Sequence, residues 1–204
     1  MALLDLFVIA DSISMHYGPY LAAYTGHAYR YARKSGEEAW LPETIRAQGG
    51  NGGDSTAVLA YLRAAQATGA LRPDLLLLNC GLHDIRTDPA SGAKQVPIDQ
   101  YAENLAAILP LAQAIAVRLI WVRTTPVDEA MHNVDGRGFH RFNEDITAYN
   151  AVADAVMTAA GVAITDLHTF TNALSGERFL DGVHFTEPTR ALQAAFLAGW
   201  LASS

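Results

Sequence analysis

The sequence predicts an α/β protein, a three-layer α/β/α sandwich around a central, mainly parallel sheet. Two observations carry this expectation. Short apolar runs alternate with longer stretches of helical period along the chain, the pattern of βαβ crossovers. The runs are apolar throughout rather than alternating, as in the four leucines 75–78, and such strands are buried on both faces of a parallel sheet. A length of 204 residues suits a single domain spanning 1–204.

Each element follows from its own signals. Leu3–Ala10 is apolar except for Asp5 and is short enough for a strand. Residues 14–25 fit a following helix, and 27–33 can supply another strand. Arg72-Pro73-Asp74 introduces the leucine run. Residues 98–115 carry apolar positions at helical spacing, with Asp99 as a candidate N-cap. Val117–Val122 reads as a strand ended by Thr124-Thr125-Pro126. Residues 143–160 form an amphipathic helix with Gly161 as its C-cap, followed by a strand at Val162–Ile164. Thr186-Glu187-Pro188 opens a last helix, with Thr as cap and Pro in the first turn. Two segments are irregular, the glycine-rich patch at 49–53 and the polar stretch 126–143. The second is long for a compact domain, and long loops are often functional.

Composition narrows the function. Half the residues are apolar and 17% are charged, ordinary values for a chain with a sizeable core. A net charge of -7 with scattered Lys and Arg argues against a nucleic-acid surface. The single cysteine, Cys80, excludes an intramolecular disulfide; at the end of a buried strand it reads as a packed thiol. The N-terminus lacks a basic segment before its apolar stretch, which predicts no signal peptide and a cytoplasmic protein. The apolar window 105–122 is broken by Pro110, Gln113 and Arg118, so no membrane span is expected.

In parallel sheets ligands bind beyond the carboxyl ends of the strands, so the residues following each strand are the candidates. Ala10-Asp11-Ser12-Ile13-Ser14 places a serine on a strand-to-helix turn, at the positive end of a helix dipole; such residues are also ordinary helix caps. Gly49-Gly50-Asn51-Gly52-Gly53-Asp54-Ser55 can bring backbone N–H groups close to a ligand, or can be a turn that ends in a helix cap. It fits neither the dinucleotide fingerprint nor the phosphate-loop pattern. Asn79-Cys80-Gly81-Leu82-His83-Asp84 sets a His–Asp pair at a strand end. Asp181-Gly182-Val183-His184 precedes the last helix, where a carboxylate three residues from an imidazole can orient it; alone it is equally an Asp-Gly turn.

Taken in order, the four segments resemble the blocks of the SGNH hydrolases, the GDSL lipase/esterase family. ADSIS matches the family's G-D-S-[LI] block, GGDST the glycine block, GLHD the G-x-N-D block, and DGVH the D-x-x-H block. The resemblance runs from residue 10 to 186. It implies the flavodoxin-like SGNH hydrolase fold and a serine esterase with Ser12 as nucleophile, His184 as base and Asp181 as its orienting carboxylate. It further implies an oxyanion hole from the backbone of Ser12 and Gly53, with His83 standing where the family has asparagine. Neutral imidazole keeps one N–H donor, so His83 can serve. Ala10 replaces the family glycine.

Asp11, Asp84, His132 and Arg141 are the candidate substrate contacts, the last two from the 126–143 loop, with Asp128, Asn133, His140 and Asn143 as further polar residues of that loop. His16 and Tyr17 either face the site or pack on the first helix. The expected substrate is a small ester with a short acyl group, such as an acetylated carbohydrate, with no cofactor. Two other readings stay open: a metal-dependent hydrolase using His83, Asp84, Asp181 and His184, and a catalytically weak member that binds a carbohydrate or protein partner.

Overall fold

A computed structural model of the chain describes residues 2–203. Five strands, β1 (Leu4–Ile9), β2 (Tyr29–Arg33), β3 (Leu75–Leu78), β4 (Arg118–Val122) and β5 (Ala163–Thr165), form one sheet in the order β2-β1-β3-β4-β5. Every neighbouring pair is parallel, so each connection crosses over the sheet through helical segments. The expected three-layer α/β/α class is the one observed. The strands carry its core: Leu6, Val8 and Ile9 of β1, all four leucines of β3, and Ile120 and Trp121 of β4 are buried.

Helices cover the faces. α1 (Ser12–Thr25) packs on α8 (Glu187–Ser203), which also meets α7 (Leu167–Ala173); α3 (Ser55–Thr68) packs on α4 (Ile98–Ile115), and α4 on α6 (Asn143–Ala159). Two single-turn helices, α2 (Glu43–Arg46) and α5 (Glu129–His132), lie in the connections. Among the described residues no helix is long and apolar enough to cross a membrane.

Boundaries shift where local caps decide. α1 starts at Ser12, not residue 14, because the Asp11 carboxylate accepts from Ile13 N and satisfies a first-turn donor. Asp99 is not the cap of α4: Pro97 holds that position, and Asp99 sits in the first turn, where a negative charge still favours the dipole. α6 ends at Ala159, with Ala160 as cap and Gly161 one residue beyond. β5 begins one residue later than expected. The 126–143 stretch contains α5, capped by Asp128 through Met131 N; α3, not assigned from sequence, is capped by Asp54 through Ala57 N.

The chain leaves β1 towards β2 on one side, while β3 lies on the other. At such a reversal the loops part and open a crevice above the strand ends. The segment after β1 begins at that crevice, and the segments after β2 and β3 flank it.

Candidate active site

Ser12 opens α1, directly after the Asp11 cap. Its backbone N–H is one of the first-turn donors that a helix leaves without an intrahelical acceptor. Its Oγ lies 2.9 Å from His184 Nε2, and His184 Nδ1 lies 2.7 Å from Asp181 Oδ2. The chemistry assigns the protons. Burial alone pushes the Asp181 carboxyl up, but hydrogen bonds from the His184 ring and from the His184 and Val183 N–H groups bring it down to about 2. An ionised carboxylate only accepts, so Nδ1 carries the proton and the bare Nε2 accepts from the Ser12 hydroxyl.

The turn holding Asp181 and His184 is tied at both ends. Asp181 Oδ1 accepts from Val183 N (3.0 Å) and His184 N (2.7 Å), and Leu180 N–H donates to His184 O (2.7 Å). Gly182 has φ +82 and lies so close to α5 that a Cβ would come within 2.6 Å of His132 N. That approach lets Asp128 N donate to Gly182 O (2.8 Å). The 126–143 loop is thereby clamped to this turn, a link that no spacing in the sequence signals. His16 also faces the turn, its ring centroid 4.9 Å from that of His184. Tyr17 is buried in the core instead.

On the other side of Ser12 lies the glycine-rich segment. Gly52 N donates to Ala10 O (2.9 Å), and a Cβ on Gly52 would meet that same oxygen at 2.9 Å. Only glycine lets this segment approach the strand end before the serine so closely. Two cations at the end of β2 hold its carbonyls. Arg33 donates to Gly50 O (3.0 Å), and the buried Lys34 ammonium donates to Gly49 O and to Asn51 O (2.9 Å). Gly53 N–H, expected to be free for a ligand, instead donates to Asn51 Oδ1 (2.9 Å). It is Asn51, not Gly53, that lines the cavity.

That cavity, of about 290 Å³, is lined by Ser12, Asp181, Val183 and His184, by Asn51, His83 and Arg86, and by His132, Arg137, Phe139 and Arg141. His83 and the loop residues His132 and Arg141 therefore line the same cavity as Ser12 and His184. Burial, reinforced by Arg86 and Arg141, lowers His83 to about 3, so its ring is neutral at neutral pH. His132 is lowered to about 4, by burial and then by Arg141 and Arg137.

Asp11 and Asp84 do not face the cavity. Asp84 is wholly buried and both of its oxygens accept from Ser55 N (2.9 and 3.1 Å), which ties the segment after β3 to the start of α3. Burial raises its pKa to about 6, against the pull of those bonds. Asp11 is buried as the cap of α1. A carboxylate next to a nucleophile or a histidine looks like a ligand group in sequence; here helix N-termini claim both. Of the four residues of the metal reading, Asp84 is therefore absent from the cavity that His83, Asp181 and His184 share, and no group of His, Cys, Asp or Glu able to hold a metal ion occurs among the described residues. Within the loop, Asn133 and Asn143 bond to backbone at Arg141 and Val127, not to the cavity. Asn51, Arg86, Arg137 and Phe139 were missed. Arg137 and Phe139 lie within the loop singled out by its length and Asn51 within the glycine-rich segment, where only the backbone was expected to act; nothing in the sequence marks Arg86.

The fold is shared with solved proteins of low sequence identity. A GDSL-like lipase from Bacteroides thetaiotaomicron is similar at 17% identity and TM-score 0.67, over 98% of this chain and 88% of that one. The lipase/acylhydrolase from Enterococcus faecalis is 15% identical with TM-score 0.70, over 98% and 96%. A catalytic mutant of an acetylxylan esterase from Geobacillus stearothermophilus is 13% identical with TM-score 0.68, over 95% and 92%. No curated protein sequence matches significantly. The model of the GDSL-like lipase/acylhydrolase family matches residues 11–191, a span that begins at the cap of the serine helix and ends inside the last helix. With that match over most of its length and the serine, histidine and aspartate in hydrogen-bond contact, the chain belongs to the GDSL-like lipase/acylhydrolase family.

Proposed function

We propose that the protein is a serine esterase that hydrolyses a carboxylic ester with a short acyl group through an acyl-enzyme intermediate. The observation that carries this reading is the continuous relay from Ser12 Oγ through the His184 ring to Asp181, at 2.9 and 2.7 Å. These distances lie within the reach required of a nucleophile, its base and an orienting carboxylate.

Each step follows from the hydrogen-bond roles. His184 Nε2 takes the Ser12 hydroxyl proton as Oγ bonds to the ester carbonyl carbon. The carbonyl oxygen becomes an oxyanion. The C–O bond to the alcohol then breaks, and His184 returns its proton to the leaving oxygen. Water repeats the sequence on the acyl-enzyme, releasing the acid and restoring Ser12. Asp181 keeps Nδ1 protonated and stabilises the imidazolium. The Ser12 N–H, unclaimed at the helix start, and the neutral His83 ring are the donors assigned to the oxyanion. The third donor of the family pattern, Gly53 N–H, is held by Asn51 Oδ1 and does not line the cavity.

An ester of small size suits a cavity of about 290 Å³, the low end of the usual range for ligand sites. Acetylated sugars are the first substrates to test, because the acetylxylan esterase has a similar fold. Ser12→Ala should lower hydrolysis of short p-nitrophenyl esters by about 10⁶-fold, the loss typical of a deleted nucleophile. A serine-directed organophosphate should label Ser12 in the unaltered chain. Retained turnover in Ser12→Ala would sink the assignment.

A further inference from the structure

The cavity carries more positive charge than ester hydrolysis needs. Arg86, Arg137 and Arg141 all line it, in a chain whose net charge is -7. Among the described residues none of the three is in an ion pair with a carboxylate. The acidic groups whose charge acts on Arg86 and Arg141 are Asp54 for the first, and Asp11 and Asp181 for the second. All three carboxylates are engaged elsewhere: Asp54 and Asp11 cap helices, and Asp181 holds His184.

The guanidinium groups are also held in place. Two of them sit over the Phe139 ring, with Arg86 Cζ 4.5 Å and Arg141 Cζ 4.8 Å from its centroid. Arg141 Nε donates to Leu82 O (2.6 Å), while Arg86 Nε is buried and has no acceptor. The third contact is frustrated. His132 meets Arg137 Nη1 at its Nδ1 (3.2 Å) and Arg141 Nη1 at its Nε2 (3.1 Å). A neutral imidazole has one acceptor nitrogen, so one of these is a donor facing a donor. Like charges gathered in one cavity, Arg141 buried and Arg86 and Arg137 half-buried, with donors unmatched, are unfavourable until an acceptor of opposite charge arrives.

Resting on the esterase reading, we propose that the substrate carries an anionic group, a carboxylate or a phosphate, which Arg86, Arg137 and Arg141 bind beside the scissile ester. Planar guanidinium groups suit both acceptors, which they can engage through paired N–H bonds. The cluster sets specificity and position; the bond making and breaking stay with Ser12 and His184. Each guanidinium that loses its anion should weaken transition-state binding by about tenfold, the usual size of a charge-assisted hydrogen bond.

The experiment compares 4-acetoxybenzoate and 4-acetoxyphenyl phosphate with the neutral 4-acetoxybenzamide. One or both anionic esters should show kcat/KM at least about tenfold above the amide, and which one does separates the carboxylate from the phosphate. That ratio should fall in Arg137→Gln and in Arg86→Gln, both chosen because Arg141 is buried and its loss can unfold the loop. It should also shrink as ionic strength rises, because screening weakens exposed charge pairs. Equal kcat/KM for all three esters, or a ratio that survives both substitutions, overturns the proposal while leaving the esterase intact. If no ester is cleaved, the esterase reading fails instead. The anion site is then tested by calorimetric titration with benzoate and inorganic phosphate against benzamide, where binding of an anion supports the proposal and binding of none overturns it.

Discussion

His83 presents a ring to the cavity where the family pattern has a side-chain amide. Its environment decides what it can do there. Burial and the nearby guanidinium groups hold it neutral, at about 3, so it offers one N–H donor and no charge. His83→Ala should therefore lower kcat by about 10²–10³, the usual loss for one oxyanion donor, with a smaller change in KM. His83→Asn restores an amide donor and should keep most of the activity. Steady-state kinetics on one ester check both variants; an unchanged kcat in His83→Ala removes His83 from the oxyanion hole. The same scale shows why some candidates were misassigned. Asp11 and Asp84 have the right chemistry in the right segments, but a carboxylate near a helix start is more strongly claimed by unpaired backbone N–H groups than by a cavity.

The end of β2 organises the glycine-rich segment from outside it. Arg33 and Lys34 hold the carbonyls of Gly49, Gly50 and Asn51, which fixes where the N–H groups of the same segment point. Lys34 is an unusual choice because its ammonium is buried, and burial lowers its pKa. Lys34→Met keeps the stem but takes the Lys34 donor from two part-buried carbonyls, those of Gly49 and Asn51. It should cost about 1 kcal/mol of stability, the low end of the penalty for unsatisfied polar groups, and lower kcat as the glycine-rich segment beside Ser12 shifts. Urea unfolding and kinetics on the same variant measure both effects. If stability falls and kcat does not, the segment only braces the fold. None of this was legible beforehand: residues 27–33 read as a strand, but a basic pair at a strand end looks like solvated surface until the loop it supports folds over it.

At the scale of the whole molecule, buried titratable groups set the response to acid. His16, His83, His132 and His168 are all lowered in the folded chain, His83 to about 3 and His132 to about 4. The unfolded chain, with histidines near 6.5, binds more protons below that pH. Their contribution to stability is full above about pH 6.5 and is lost as pH falls towards 4. Asp11 and Asp84 oppose this, because their pKa values are raised, Asp84 to about 6. Four histidines against two aspartates predict a net loss. The Tm should fall between about pH 6.5 and 4, and the fall should be shallower in His83→Asn. Thermal melts across that range decide it; a flat profile would mean that these rings are not buried neutral.

The fold class and the order of the site segments were properties of the sequence itself. Unbroken apolar runs such as residues 75–78 can satisfy their surroundings only between two helical layers, and parallel strands place the following residues at one edge of the sheet. Ser12, Asp181 and His184 were legible for that reason, each standing on a short turn beside a strand or helix end. What only the tertiary structure decided is what surrounds them. The guanidinium cluster joins Arg86, after β3, with Arg137 and Arg141 of a loop between β4 and α6. The burial of Asp11 and Asp84 and the seat of Lys34 likewise depend on which segments meet. These are contacts between residues far apart in the chain, and charge or hydrogen-bond capacity in a sequence does not say which partner will claim it.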